Sequence, residues 1–134
     1  MTLRATGTFE VKVTPQSPVD GVGDPSVGRM ALEKQFKGDL AGTGRGQMLA
    51  VGTAIDGSAG YVAMERVHGV LHGREGSFAL QHNGVMNRGT PQLAITIVPD
   101  SGTEGLSGIA GALTIRIADG LHHYELAYSL PDIP

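Results

Sequence analysis

Few side chains in this sequence are suited to chemistry. There is no cysteine, and the five histidines are His68, His72, His82, His122 and His123. Thiol nucleophiles and disulfides are therefore excluded. Two ionisable residues stand out by position, Glu65 and His82. Tyr61, Ala63, Glu65, Val67 and Leu71 occupy alternate places in one run, and Phe78, Leu80, His82 and Met86 do so in the next. A period of two puts such residues on one face of a strand. The opposite face carries Arg66, His68, His72, Ser77, Gln81, Asn83 and Asn87. The apolar face must turn inward, so an acid and an imidazole are aimed into an apolar interior. A carboxylate there must be paired or wetted. Burial raises its pKa and a protonated His82 lowers it, which suits the pair to general acid/base or proton-relay chemistry. A purely structural buried pair uses the same two residues. A one-residue register slip would instead turn both to water.

Hairpin arithmetic brings the two together. A turn at Arg74-Glu75 puts Leu71 opposite Phe78, Val67 opposite His82, Glu65 opposite Gly84 and Ala63 opposite Met86. Glu65 and His82 are then diagonal neighbours, within reach of each other. Asp119-Gly120 is a stronger turn signal, because a type I′ turn requires positive φ at both central residues. It places Ile117 opposite His122, Ile115 opposite Tyr124, Leu113 opposite Leu126 and Gly111 opposite Tyr128. Tyr61, Tyr124 and Tyr128 all point inward on this reading. Each offers a hydroxyl to orient a ligand or, alternatively, fills the core with its ring.

Other chemistries lack support. Gly42-Thr43-Gly44-Arg45-Gly46 has the look of a phosphate loop but no helix follows it. His68 and His72 share a face but lie roughly 13 Å apart at about 3.3 Å per strand residue. His122 and His123 point to opposite faces, so no convergent metal-ligand set forms. No serine sits in a nucleophile elbow, and Glu65 has no second inner-face carboxylate for glycoside hydrolysis. Neither a metal nor a cofactor is expected.

Strands must position these residues. Gly accounts for 21 of the 134 residues, about twice the usual share, and it punctuates the alternating runs. Eight strands are expected, near 3–14, 29–37, 40–51, 59–72, 77–88, 92–98, 106–118 and 121–130. Local turns between them imply an antiparallel meander in a single domain spanning 1–134. Closure into a barrel removes the sheet edges, and strand glycines permit the coiling that closure needs. A two-sheet sandwich is the alternative. The segment 14–28 holds Pro15, Pro18 and Pro25 with Gly21 and Gly23, which makes it a long loop and a candidate lid. Residues 131–134 form a tail.

Formal net charge is −3 with no cluster of Lys and Arg, which argues against a nucleic-acid surface. No apolar run approaches the roughly 20 residues that span a bilayer, and the N-terminus lacks a signal-peptide pattern. With cysteine absent, a cytoplasmic protein is the expectation.

Several stretches resemble a known family. ATGTFEVK at 5–12, QFKGDLAGTG at 35–44, YVAMERVHGVLHGREGSFALQHNG at 61–84, SGTEGLSGIAG at 101–111 and DGLHHYELAYSL at 119–130 are similar to the small bacterial domain-of-unknown-function 3224 proteins. The resemblance implies an all-β, eight-stranded antiparallel meander closed into an allene-oxide-cyclase-like β-barrel. Related barrels bind apolar ligands in the lumen and steer cyclisation or coupling, often without a cofactor. No catalytic residue carries over motif by motif. The expectation is a barrel that binds a hydrophobic small molecule, with Tyr61, Phe78, Leu80, Met86, Tyr124, Leu126 and Tyr128 lining the site. Glu65 and His82 would be its acid/base groups in an isomerase- or cyclase-type reaction. The rival is a non-catalytic ligand carrier or a barrel that associates with itself. Low aromatic content, six Phe and Tyr without Trp, favours that rival.

Overall fold

Each alternating run becomes a strand. The computed structural model describes residues 1–134 and contains no helix. The strands are β1 (Leu3–Pro15), β2 (Gly28–Gly38), β3 (Leu40–Gly52), β4 (Ala59–Leu71), β5 (Arg74–Asn87), β6 (Thr90–Ile97), β7 (Thr103–Glu104), β8 (Ala110–Ala118) and β9 (Leu121–Ser129). All pairings are antiparallel, and β1 pairs with both β2 and β9. The β4–β5 ladder closes the circle, giving an eight-stranded barrel of β1–β6, β8 and β9. The short β7 is an extra strand. It continues along β5 at Gly76 and Ser77, beyond the reach of β6.

Three hairpins turn on a residue-glycine pair with positive φ at both positions: His72-Gly73, Arg88-Gly89 and Asp119-Gly120. That is the type I′ geometry whose twist matches the flanking strands. The β8–β9 register agrees with the Asp119-Gly120 reading from Gly111↔Tyr128 to Ile117↔His122. The β4–β5 register does not agree with a turn at Arg74-Glu75. His72-Gly73 is the turn, so Leu71 faces Arg74, Val67 faces Phe78, Glu65 faces Leu80 and Ala63 faces His82. The slip is four residues, an even number, so the inward set is preserved.

The strand expected from 106 starts at Ala110. Leu106 and Ile109 belong instead to the loop that folds over one end of the barrel, where both are fully buried. With Leu40, Leu71, Phe78, Leu126, Tyr128 and Leu130 they plug that end. The same loop, through β7, covers the outer face of β5. Ser77, expected in solvent, is buried there with its hydroxyl 2.7 Å from that of Thr103.

The other end stays open. β1 runs one residue past its expected end, and Pro15 still pairs with Met30. Residues 16–27 extend from there as an exposed excursion, tied down by Gln16 N–H to Arg29 O and by Arg29 Nη2 to Ser17 O.

Candidate functional site

Three ionisable side chains meet inside the barrel. Glu65 on β4 is 2 % exposed, His82 on β5 is 3 % exposed and Lys34 on β2 is 7 % exposed. Lys34 Nζ donates to Glu65 Oε1 at 2.8 Å, and His82 Nε2 lies 2.8 Å from the same oxygen. Lys34 comes from the far side of β3. It reaches across because β3 presents Gly42, Gly44 and Gly46 to the lumen, leaving space where side chains would stand. A Cβ at Gly44 would sit 2.8 Å from Glu65 Oε2 and 3.1 Å from Phe36 Cε2. The Lys34 ammonium also lies 5.0 Å above the Phe9 ring, a cation–π contact that a desolvated site strengthens.

Burial alone pushes the Glu65 pKa up. The hydrogen bond from His82 and the charge and hydrogen bond of Lys34 outweigh that, and the carboxyl is held below its ordinary value. An ionised carboxylate only accepts hydrogen bonds, so His82 Nε2 carries the proton that points at Oε1. In the neutral ring this leaves Nδ1 as an acceptor. Glu65 Oε2 is the one buried side-chain nitrogen or oxygen without a hydrogen-bond partner. His82 Nδ1 has no partner within the chain, so it retains access to solvent.

A cavity of about 350 Å³ lies at the mouth, with Met48, Ala50, Tyr61, Met86, Pro91 and Leu93 among its mainly apolar walls. Tyr61 lies between the mouth and the ionic cluster, its ring centroid 6.4 Å from that of His82. Gly84, directly across from Tyr61, makes this placement feasible, since a Cβ there would collide with the Tyr61 ring. Burial, and secondarily the Glu65 charge, raise the Tyr61 pKa, so its hydroxyl stays protonated. A larger, shallow groove of about 510 Å³ crosses the outer face at Thr6, Thr8, Thr114, Arg116 and His123. Its exposed side chains are polar, and the sheet wall separates it from Glu65.

The family model described as a protein of unknown function (DUF3224) matches residues 5–128. The chain belongs to this family. A solved DUF3224 protein of unknown function from Shewanella oneidensis MR-1 is 45% identical. The alignment covers 97% of this chain and 98% of that one, with a TM-score of 0.89. No curated protein matches the chain.

In this DUF3224 barrel the residues singled out from the sequence divide between the two ends. Glu65 and His82 are in direct contact, and Tyr61 and Met86 stand at the mouth beside them. Phe78, Leu80, Leu126 and Tyr128 lie in the hydrophobic core with at most 2 % exposure and do not line the mouth cavity. Tyr124 is also buried, and its hydroxyl serves the backbone. It accepts from Leu40 N–H at 2.9 Å and donates toward Lys37 O at 3.0 Å and Leu40 O at 3.1 Å. The Tyr128 hydroxyl bonds His72 Nδ1 at the turn. Neither hydroxyl is free to orient a ligand. His68 and His72 bind nothing together, and no group of three metal-ligating side chains exists. No helix is long and apolar enough to cross a membrane.

Lys34 is a participant that the alternation of apolar residues does not single out. A signal was there. Met30, Leu32 and Phe36 keep inward parity on β2, and Lys34 occupies the even position between them. A lysine at an inward position demands a buried partner, just as Glu65 does.

Proposed function

We propose that this DUF3224 barrel binds a hydrophobic small molecule at its open mouth and exchanges a proton with it through His82. One arrangement carries the reading: Tyr61 both lines an apolar cavity and neighbours the His82 ring, whose Nε2 is fixed by Glu65 and whose Nδ1 makes no hydrogen bond within the chain. Glu65 is the positioning residue. It holds the tautomer and stabilises the imidazolium that forms when Nδ1 takes a proton. Lys34 keeps Glu65 ionised, and so keeps it an acceptor. Tyr61 supplies a neutral donor at the rim. Apolar walls select and hold the ligand while two or three polar groups orient it, the usual division of labour in small-molecule sites. Near 350 Å³ the cavity stands at the small end of that class. Proton transfer by a positioned imidazole fits an isomerase- or cyclase-type reaction and contributes typically about 10²–10⁴-fold.

Nile red fluorescence on titration with the protein tests the binding part. Wild type should enhance and blue-shift the dye, and Met86→Trp, which narrows the mouth, should abolish this without unfolding the barrel. Equal enhancement by both proteins would place the dye elsewhere and remove the basis for a luminal site. A His82→Gln variant that binds Nile red like wild type would separate binding from proton transfer.

A further inference from the structure

Lys34 has a chemistry that proton transfer does not use. It is a buried primary amine, hydrogen-bonded at 2.8 Å to a buried carboxylate, in a lumen whose open end is apolar. The chain has two other lysines, Lys12 and Lys37, and both are exposed. We propose that Lys34 forms a Schiff base with an apolar aldehyde taken up through the mouth, with Glu65 as its counterion. This rests on the luminal binding reading above and names the class of ligand.

The charge balance at the site favours such a reaction. A neutral aldehyde enters and a neutral water leaves. The ammonium of Lys34 becomes an iminium at the same position, so the buried ion pair with Glu65 survives. A product that left Lys34 neutral with Glu65 still ionised would strand a desolvated carboxylate, which is strongly unfavourable. Lys34 Nζ gives one proton to Glu65 Oε1, and the free amine attacks the carbonyl carbon to form the C–N bond. A second Nζ proton moves to the former carbonyl oxygen, and the carboxyl returns its own proton to that oxygen. The C–O bond breaks, water departs, and the remaining C=N retains one N–H and the positive charge. Glu65 Oε1 is placed for this shuttle because it already accepts from Lys34 Nζ, and the His82 Nε2–H holds the oxygen in place. The Phe9 ring beneath the ammonium suits an iminium as well, since its face attracts either cation. Lys34 pairs with Gly44, deeper along the barrel than Met48 and Ala50 of the cavity wall, and an aldehyde fits where a simple hydrocarbon does not because only a carbonyl has chemistry to offer that amine.

Octanal with sodium cyanoborohydride tests this, followed by peptide mass mapping. The expected result is a reduced octyl adduct on Lys34, formed about ten-fold or more faster than on Lys12 or Lys37 because bound aldehyde is held beside one amine. Lys34→Arg preserves a cation opposite Glu65 and should lose this adduct while remaining folded. 1-Octanol, which binds but cannot condense, should slow the Lys34 labelling. Displacement of Nile red by octanal and octanol is measured in parallel. Displacement by both, with labelling confined to Lys12, Lys37 and the N-terminus, overturns the Schiff base and leaves luminal binding intact. No displacement by either compound overturns both.

Discussion

Two donors converge on one oxygen of Glu65, and the other oxygen has none. This asymmetry sets the energetics of the site. Breaking a buried ion pair on one side leaves an uncompensated charge, so Lys34→Met should cost about 3–5 kcal/mol in urea denaturation. Adding Glu65→Gln to Lys34→Met should recover part of that loss, giving a coupling of about 0.5–3 kcal/mol. Strict additivity would mean that the pair does not interact. Acid should unfold the protein partly through the same group. The folded-state pKa of Glu65 lies below its ordinary value of 4.5, so ionised Glu65 favours the folded state. That contribution is complete above the unfolded-state pKa and disappears as pH falls through the lower folded-state value. Unfolding free energies followed downward from about pH 6 should therefore decline more steeply in wild type than in Glu65→Gln. Parallel slopes would show that Glu65 titrates alike in both states.

At the scale of strands, parity was legible in the sequence and register was only partly so. Inward residues on β4, β5, β8 and β9 follow from alternation alone, because a half-buried strand has no other periodic solution. Asp119-Gly120 fixed its hairpin, since Asp-Gly favours the required conformation. His72-Gly73 and Arg88-Gly89 use the same turn with residues that carry little propensity for it, so neither announces itself. The sequence points instead to a turn at Arg74-Glu75, four residues of register away. Lys34 was hidden because lysine reads as solvent-facing even at an inward position. The plug formed by Leu106 and Ile109 was hidden because isolated apolar residues in a Gly-rich loop have no period. The glycines of β3 have a test of their own. Gly44→Ala brings a methyl against Glu65 Oε2 and Phe36, and overpacking of this kind should destabilise the barrel by about 1–3 kcal/mol. Tyr124→Phe removes the partner of the buried Leu40 N–H, with an expected loss of about 1–3 kcal/mol. A Tyr124→Phe protein as stable as wild type would mean that Leu40 finds another acceptor.

For the whole molecule, closure is uneven. β3, β4 and β5 are joined by ladders of thirteen residue pairs each, from Leu40↔Leu71 to Gly52↔Ala59 and from Ala59↔Met86 to Leu71↔Arg74. β6 and β8 share a single pair, Thr96↔Ala112. Hydrogen exchange should be fastest, among strand amides, along this seam, and slowest at the centre of β4. Uniform protection around the barrel would contradict that order. The asymmetry between the ends matters more for function, since one is packed with leucines and the other opens at Tyr61, the neighbour of His82. Nitrogen-15 NMR of histidine-labelled protein, before and after addition of 1-octanol, tests that claim most directly. His82 should carry a proton on Nε2, and its Nδ1 resonance should move when the alcohol binds, while those of the outward-facing His68 and His123 stay unchanged. A proton on Nδ1 with Nε2 bare, or a His82 resonance indifferent to the alcohol, would contradict it.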